Sequence, residues 1–158
     1  MQNLIRPALL LIFLSACAAG TQSTATSNNN TAAGHTRTVA VESIDATTYL
    51  LTETTTDKTY GYTEKNAIKV GGSSESSGPK NERRFLNALL GPNGEQVTYF
   101  RAGSCCAFKT PNGMENIGLL DRYRVSWAGS KDTVNLYLNM YDKGNLLIPV
   151  GFTARKKQ

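Results

Sequence analysis

The chain has 158 residues, with 17 Lys+Arg against 12 Asp+Glu and a formal charge of +5; that length supports one domain and not comfortably two. Five of the basic residues, Arg6, Arg37, Arg155, Lys156 and Lys157, lie towards the ends, so residues 39–154 hold 12 basic groups against all 12 acidic ones. A body balanced in this way lacks the basic footprint of a nucleic-acid binder, and nucleic acid is excluded as a partner.

Residues 1–16 carry one positive side chain, Arg6, then an apolar run over 8–14, then Ser15-Ala16 immediately before Cys17. A cationic start, a brief apolar stretch and small residues before a cut are the parts of an export signal. A membrane-spanning helix is the competing reading. As a helix, residues 8–19 reach only about 18 Å at about 1.5 Å per residue, well short of a hydrocarbon core roughly 30 Å thick. Leu14-Ser15-Ala16-Cys17 resembles the lipobox of bacterial lipoproteins. That resemblance implies a diacylglycerol on the Cys17 sulfur, cleavage before it and acylation of the new amine. Each buried methylene contributes about 0.8 kcal/mol, and more than one chain makes such anchoring stable. Residue 18 is Ala rather than Asp. By the same resemblance this sorts the protein to the periplasmic side of the outer membrane, in an organism that has one.

Residues 17–37 are rich in Ser, Thr, Asn and Ala and, after Cys17, hold no large apolar side chain. Such a stretch buries too little surface to offset its ordering entropy, so a flexible tether is expected. Residues 38–154 are then a single domain, followed by a basic tail at 155–158. Two readings of the tail stand open. It touches anionic head groups, at about 1 kcal/mol per basic residue, or it is a frayed terminus.

Within the domain, residues 38–44 alternate and 48–52 are rich in β-formers, so both read as strands. Residues 67–70 read as a short strand, and the Gly/Ser-rich 71–78 as a loop. A phosphate-cradling loop is rejected there, because Pro79 follows the last glycine and Lys80 precedes Asn81 rather than Ser or Thr. One helix is expected next: Asn81 caps it, Glu82 suits its positive end, and Phe85, Leu86, Leu89 and Leu90 form an apolar stripe ended by Gly91-Pro92. Asn93-Gly94 turns the chain into a strand over 96–101. Tyr123, Val125 and Trp127, then Val134, Leu136, Leu138 and Met140, alternate with polar residues on either side of a Gly-containing loop, which predicts a β-hairpin. Residues 146–152 are a last strand, with Pro149 indicating an edge. The expected class is α+β: a small antiparallel β-sheet with one helix packed on one face.

The only histidine, His35, falls in the tether. The domain therefore has no histidine general base, no Ser-His-Asp or Cys-His pair and no histidine metal ligand. No catalytic residue, metal or cofactor is expected. Glu53, Asp57 and Glu64 lie in polar stretches and read as solvated surface.

Cys105-Cys106 is the unusual feature. With Cys17 lipidated the two have no other partner in the chain, and export favours oxidation. Neighbouring α-carbons lie about 3.8 Å apart, below the usual disulfide range of roughly 4.4–6.8 Å. Three readings stand open: buried inert thiols, a vicinal disulfide, or a reactive or metal-binding pair, which Arg101 and Lys109 would support if they fold back on it. Asn135, Tyr137, Asn139 and Tyr141 share one face of the predicted hairpin. Amides and phenols together suit sugar or peptide recognition, though an ordinary solvent face has the same composition.

Residues 60–152 resemble a group of small bacterial envelope proteins through YGYTEKNAIKVGG (60–72), GPKNERRFLNALLGPNGE (78–95), GSCCAFKTPNG (103–113), GLLD (118–121), LYLNMYD (136–142) and IPVGF (148–152). Some of that group carry the name 2-dehydro-3-deoxyphosphooctonate aldolase. Such an enzyme resembles an eight-stranded α/β barrel of about 250 residues, about twice the length of this domain. The expected function is a membrane-anchored, non-catalytic binding or structural module of the cell envelope, for a protein or glycan partner. The alternative is a thiol-dependent activity, redox or hydrolytic, at Cys105-Cys106.

Overall fold

The structure, a computed structural model, describes residues 34–157. The expected signal, Cys17 and most of the expected tether lie outside the described residues. Residues 36 and 37 are fastened to the domain. Their N–H groups both donate to the Lys143 carbonyl, at 2.7 and 3.0 Å, and the Arg37 guanidinium donates to the Gly144 and Val70 carbonyls.

Strands β1 (Ser43–Asp45) and β2 (Thr48–Tyr49) form a short antiparallel pair. The Asp45 carboxylate closes the turn between them by accepting from Thr47 N and Oγ1, both at 2.7 Å. After a 3-10 turn at Glu64–Asn66 comes β3 (Ile68–Lys69). Helix α1 (Gly78–Ala88) starts before the expected Asn81 cap, with Pro79 in its first turn, where a missing N–H is harmless. Asn81 instead lies inside the helix and donates its amide to the Gly71 carbonyl at 3.0 Å.

The helix also ends early, and Leu89–Leu90 becomes strand β4. Arg155 accounts for the stop. Its N–H and Nε donate to the Ala88 and Asn87 carbonyls, at 2.9 and 2.7 Å, satisfying groups a longer helix would have used. The first residue of the expected basic tail is thus a helix cap.

Strands β5 (Val97–Met114) and β6 (Ile117–Trp127) form a long antiparallel hairpin. Its tip, Glu115 and Asn116, has φ of 51° and 61°, the left-handed pair that a two-residue hairpin turn requires. Strand β7 (Val134–Asn139) pairs antiparallel with β6, and β8 (Thr153–Ala154) pairs with β4. No helix among the described residues is long and apolar enough to cross a membrane.

The expected α+β class with a small antiparallel sheet is overturned. Strand outweighs helix among the described residues, which hold one α-helix. The principal sheet runs β3-β7-β6-β5 and is mixed, because β3 joins β7 in parallel; β1-β2 and β4-β8 are separate two-stranded pairs. Alternation along a strand reveals which side is buried but not which strand lies alongside or in which direction. That is why the parallel partner of β3 was not foreseen. Residues 146–152 do not form the expected edge strand either. Their strand-type pairing among the described residues is limited to the Thr54–Ile148 bridge, and the ladder with β4 begins at Thr153.

The core lies between the helix and the inner face of the sheet. Phe85, Leu86 and Leu89 meet Tyr123, Val125, Leu136 and Leu138, with Ile68 and Val70 from the parallel edge. The period-two expectation for the β6–β7 hairpin places these side chains correctly, since Val125, Leu136 and Leu138 are fully buried.

Candidate functional site

Register sorts the β5–β6–β7 side chains into two faces, because directly paired residues share a side. Tyr99 with Val125, and Arg101 with Tyr123 and then Leu136, lie on the helix side of the sheet, Tyr99 half-buried and Arg101 exposed at its edge. Phe100 with Arg124 and Asn135, and Gly103 with Arg122 and Tyr137, point outward. Cys105 with Leu120, and Phe108 with Gly118, continue that outer row towards the hairpin tip. Asn135 and Tyr137, two of the four sequence-predicted recognition residues, thus share one sheet face with Cys105.

The outer face is open in its middle. Phe100 is 58% exposed, and Arg122, Arg124 and Asn135 are exposed, with Tyr137 half-buried beside them. The Arg124 guanidinium lies 5.8 Å from the Phe100 ring centre, a cation–π distance. Gly103, at φ 133°, leaves a notch between Phe100 and Cys105, where an added Cβ would meet nothing within 4 Å. Neither Arg122 nor Arg124 has an ion-pair partner among the described residues.

Asn139 and Tyr141, expected on the same face, do a different job. Asn139 is buried. Its oxygen accepts from Tyr141 N and Asp142 N at 2.8 and 3.0 Å, and its amide donates to Asp142 at 3.0 Å. Asp142, itself fully buried, also accepts from Thr110 Oγ1 at 2.6 Å and Asn112 Nδ2 at 2.9 Å. These residues lock the turn after β7 against β5. Tyr141 packs edge-on against Phe108, with ring centres 6.0 Å apart.

The Cys105 and Cys106 sulfurs are bonded to each other across adjacent α-carbons 3.8 Å apart. Cys106 has φ 58° and no cross-strand partner, so it is the extra residue of a β-bulge between the Cys105–Leu120 and Ala107–Leu119 pairs. Both cysteines are half-buried. The two cations expected to support them face elsewhere. Arg101 grips Asp121 with two bonds, at 2.6 and 2.7 Å, and Ser104 Oγ joins the same carboxylate at 2.9 Å. Lys109 is exposed, opposite Ile117.

Behind this face lies a group that sequence reasoning missed. Glu82, expected to suit the positive end of the helix, is fully buried. One carboxyl oxygen meets the Tyr123 hydroxyl at 3.0 Å and the other has no partner. Burial, and after it the negative charge of Asp121, push the Glu82 carboxyl up to about 8, so it keeps its proton at neutral pH. Burial likewise raises Tyr123. A signal for both acids existed. Glu82 precedes Phe85, Leu86 and Leu89 by three, four and seven residues, on the apolar stripe itself, and Asp121 has the parity of Tyr123 and Val125.

A groove of about 800 Å³ lies between Thr47, Thr48, Asn87 and the C-terminal lysines. Two of its polar groups are engaged within the fold, Asn87 Nδ2 on Thr47 O and Arg155 Nε on Asn87 O.

Comparison with family models, curated proteins and solved structures finds no match to this chain. Function is then read from the site's own chemistry. The outer face offers two guanidinium groups without ion-pair partners among the described residues, two aromatic rings and an amide, a set with the donors to hold an anionic group.

Proposed function

We propose that this protein is a lipoprotein of the bacterial cell envelope, anchored by acyl chains on Cys17, whose domain is a non-catalytic binding module for an envelope protein or glycan. The lipobox-like Leu14-Ser15-Ala16-Cys17 and the short apolar stretch before it support the anchor. Ala18 favours the periplasmic side of the outer membrane where there is one. The observation that carries the binding reading is the side-by-side placement of Phe100, Arg122, Arg124, Asn135 and Tyr137 on one open sheet face. Arginines held beside aromatics without an acidic partner remain available to a ligand.

The test has two arms. Cys17→Ser should move the protein from the membrane to the soluble fraction; unchanged membrane attachment overturns the anchor. Arg122→Glu with Arg124→Glu, in the anchored protein, should abolish cross-linking to envelope components. Undiminished cross-linking overturns the binding face.

A thiol-dependent activity is the second reading, favoured by the bonded, half-buried Cys105-Cys106 pair. In its redox form a dithiol donor gives two electrons and two protons to the disulfide, leaving two cysteine thiols and an oxidised donor. Alkylatable thiols counted by mass spectrometry should then rise from none to two on mild reduction. A pair that resists reduction in the native protein removes this reading. The aldolase activity carried by some names in the resembling group has no support from a four-stranded mixed sheet.

A further inference from the structure

Strand β5 is the edge of the principal sheet: β6 pairs with one side of it, and among the described residues the other side meets only the isolated Leu90–Gln96 bridge just before Val97. An unpaired edge offers a row of N–H and C=O groups ready to bond another strand, and proteins usually blunt such edges with bulges, prolines or lysines. The outer part of β5 is blunted in this way. Its register shifts between Arg101 and Gly103, and again between Cys105 and Ala107, with Lys109 and Pro111 beyond. The inner part is not. Val97 to Arg101 pairs with Trp127 to Tyr123 residue for residue, without a shift, a proline or a lysine.

We propose that the Val97, Thr98, Tyr99, Phe100 and Arg101 edge takes an extended, acidic segment of a partner protein as an additional antiparallel or parallel strand. The inference rests on the binding-module reading and names the partner class for the same face. A strand added roughly 4.8 Å from β5 would place every second side chain on the outer face beside Phe100. On that face Arg124, one strand further in and over the Phe100 ring, and Arg122, opposite Gly103, have no ion-pair partner among the described residues, so glutamates at those positions reach towards positive charge. The intervening side chains fall on the inner side, next to Tyr99, and are apolar. Charge also argues against the occupants nearest to hand. A second copy would bring its own Arg122 and Arg124 to the same place. Residues 18–33 of this chain contain no acidic residue. A glycan carries carboxylates but cannot continue the backbone ladder.

The test uses the full chain in detergent and a fluorescently labelled peptide alternating glutamate and valine, read by anisotropy. The peptide should bind, and amide exchange should slow at Val97 to Arg101. Methylation of alternate peptide nitrogens removes ladder donors while keeping every side chain, and should weaken binding about tenfold or more in one of the two methylation phases. Replacing glutamate by lysine should abolish binding, and Arg122→Glu with Arg124→Glu should restore binding of that lysine peptide. Equal binding of both methylated peptides overturns strand addition and leaves the outer-face reading standing. Binding of a polyuronate but not of the glutamate peptide also overturns the inference while the module reading survives. A β5-mediated dimer, or binding that appears only once residues 18–33 are deleted, assigns the edge to this chain and overturns it as well.

Discussion

The two faces of β5–β6–β7 come from the same alternation yet treat charge in opposite ways. On the inner face Asp121 and Glu82 are withdrawn from water among Tyr123, Val125, Leu136 and Leu138. Each is made tolerable there by a different device. Asp121 keeps its charge and takes Arg101 and Ser104 as donors. Glu82 holds a proton and meets Tyr123. On the outer face Arg122 and Arg124 stay in solvent with no acid beside them. Burial commits a polar group to one partner because an unpartnered one is costly. Exposure leaves it free, and a free, rigidly placed cation is what a recognition surface uses.

The largest effects should come from the inner side. Phe85→Ala removes a fully buried ring and should cost about 3–5 kcal/mol in chemical denaturation; a loss under about 1 kcal/mol would show that helix and sheet are not packed as described. Asp142→Ala strands the Thr110, Asn112 and Asn139 donors and should cost about 3 kcal/mol. The hairpin around Thr110 should show the first increase in amide exchange.

Next comes the pH dependence. The Glu82 carboxyl is raised from 4.5 to about 8, so between those values the folded chain holds a proton that the unfolded chain has released. Stability therefore falls as pH rises through this window, with a slope of at most about 1.4 kcal/mol per pH unit from this group. It levels off above about 8. Glu82→Gln should flatten that slope. Unfolding free energies measured at several pH values for both proteins decide it; parallel curves would mean that Glu82 reaches water.

How far the sequence revealed these faces depends on what each signal measures. Period two in β6 and β7 reports burial, and it identified Val125, Leu136 and Leu138 as core and Asn135 and Tyr137 as outer. It carries no information about neighbours far away in the chain, so the β3–β7 parallel pair and the extension of β5 to Met114 were invisible. Residues 102–114 contain glycine, proline and three register shifts that break the alternation, and broken alternation reads as loop. Glu82 reads from its charge as a partner for the positive end of the helix, which leaves out its place on the stripe of Phe85, Leu86 and Leu89. The spacing was the better guide. Asn139 shows the reverse case: its parity matched Asn135 and Tyr137, but the turn that follows needed its amide.

The smallest expected effect sharpens the comparison most. Arg122→Glu and Arg124→Glu remove no ion pair among the described residues. Arg124→Glu also removes the exposed Arg124–Phe100 contact, of a kind worth about 0.5–1 kcal/mol at a surface. Arg122→Glu should change unfolding free energy by less than about 0.5 kcal/mol, and Arg124→Glu by less than about 1 kcal/mol. Binding should nevertheless disappear in the double variant. Recognition lost at nearly full stability separates a surface kept for a partner from one kept for the fold. A drop of several kcal/mol would instead place these arginines in the scaffold and erase the difference between the two faces.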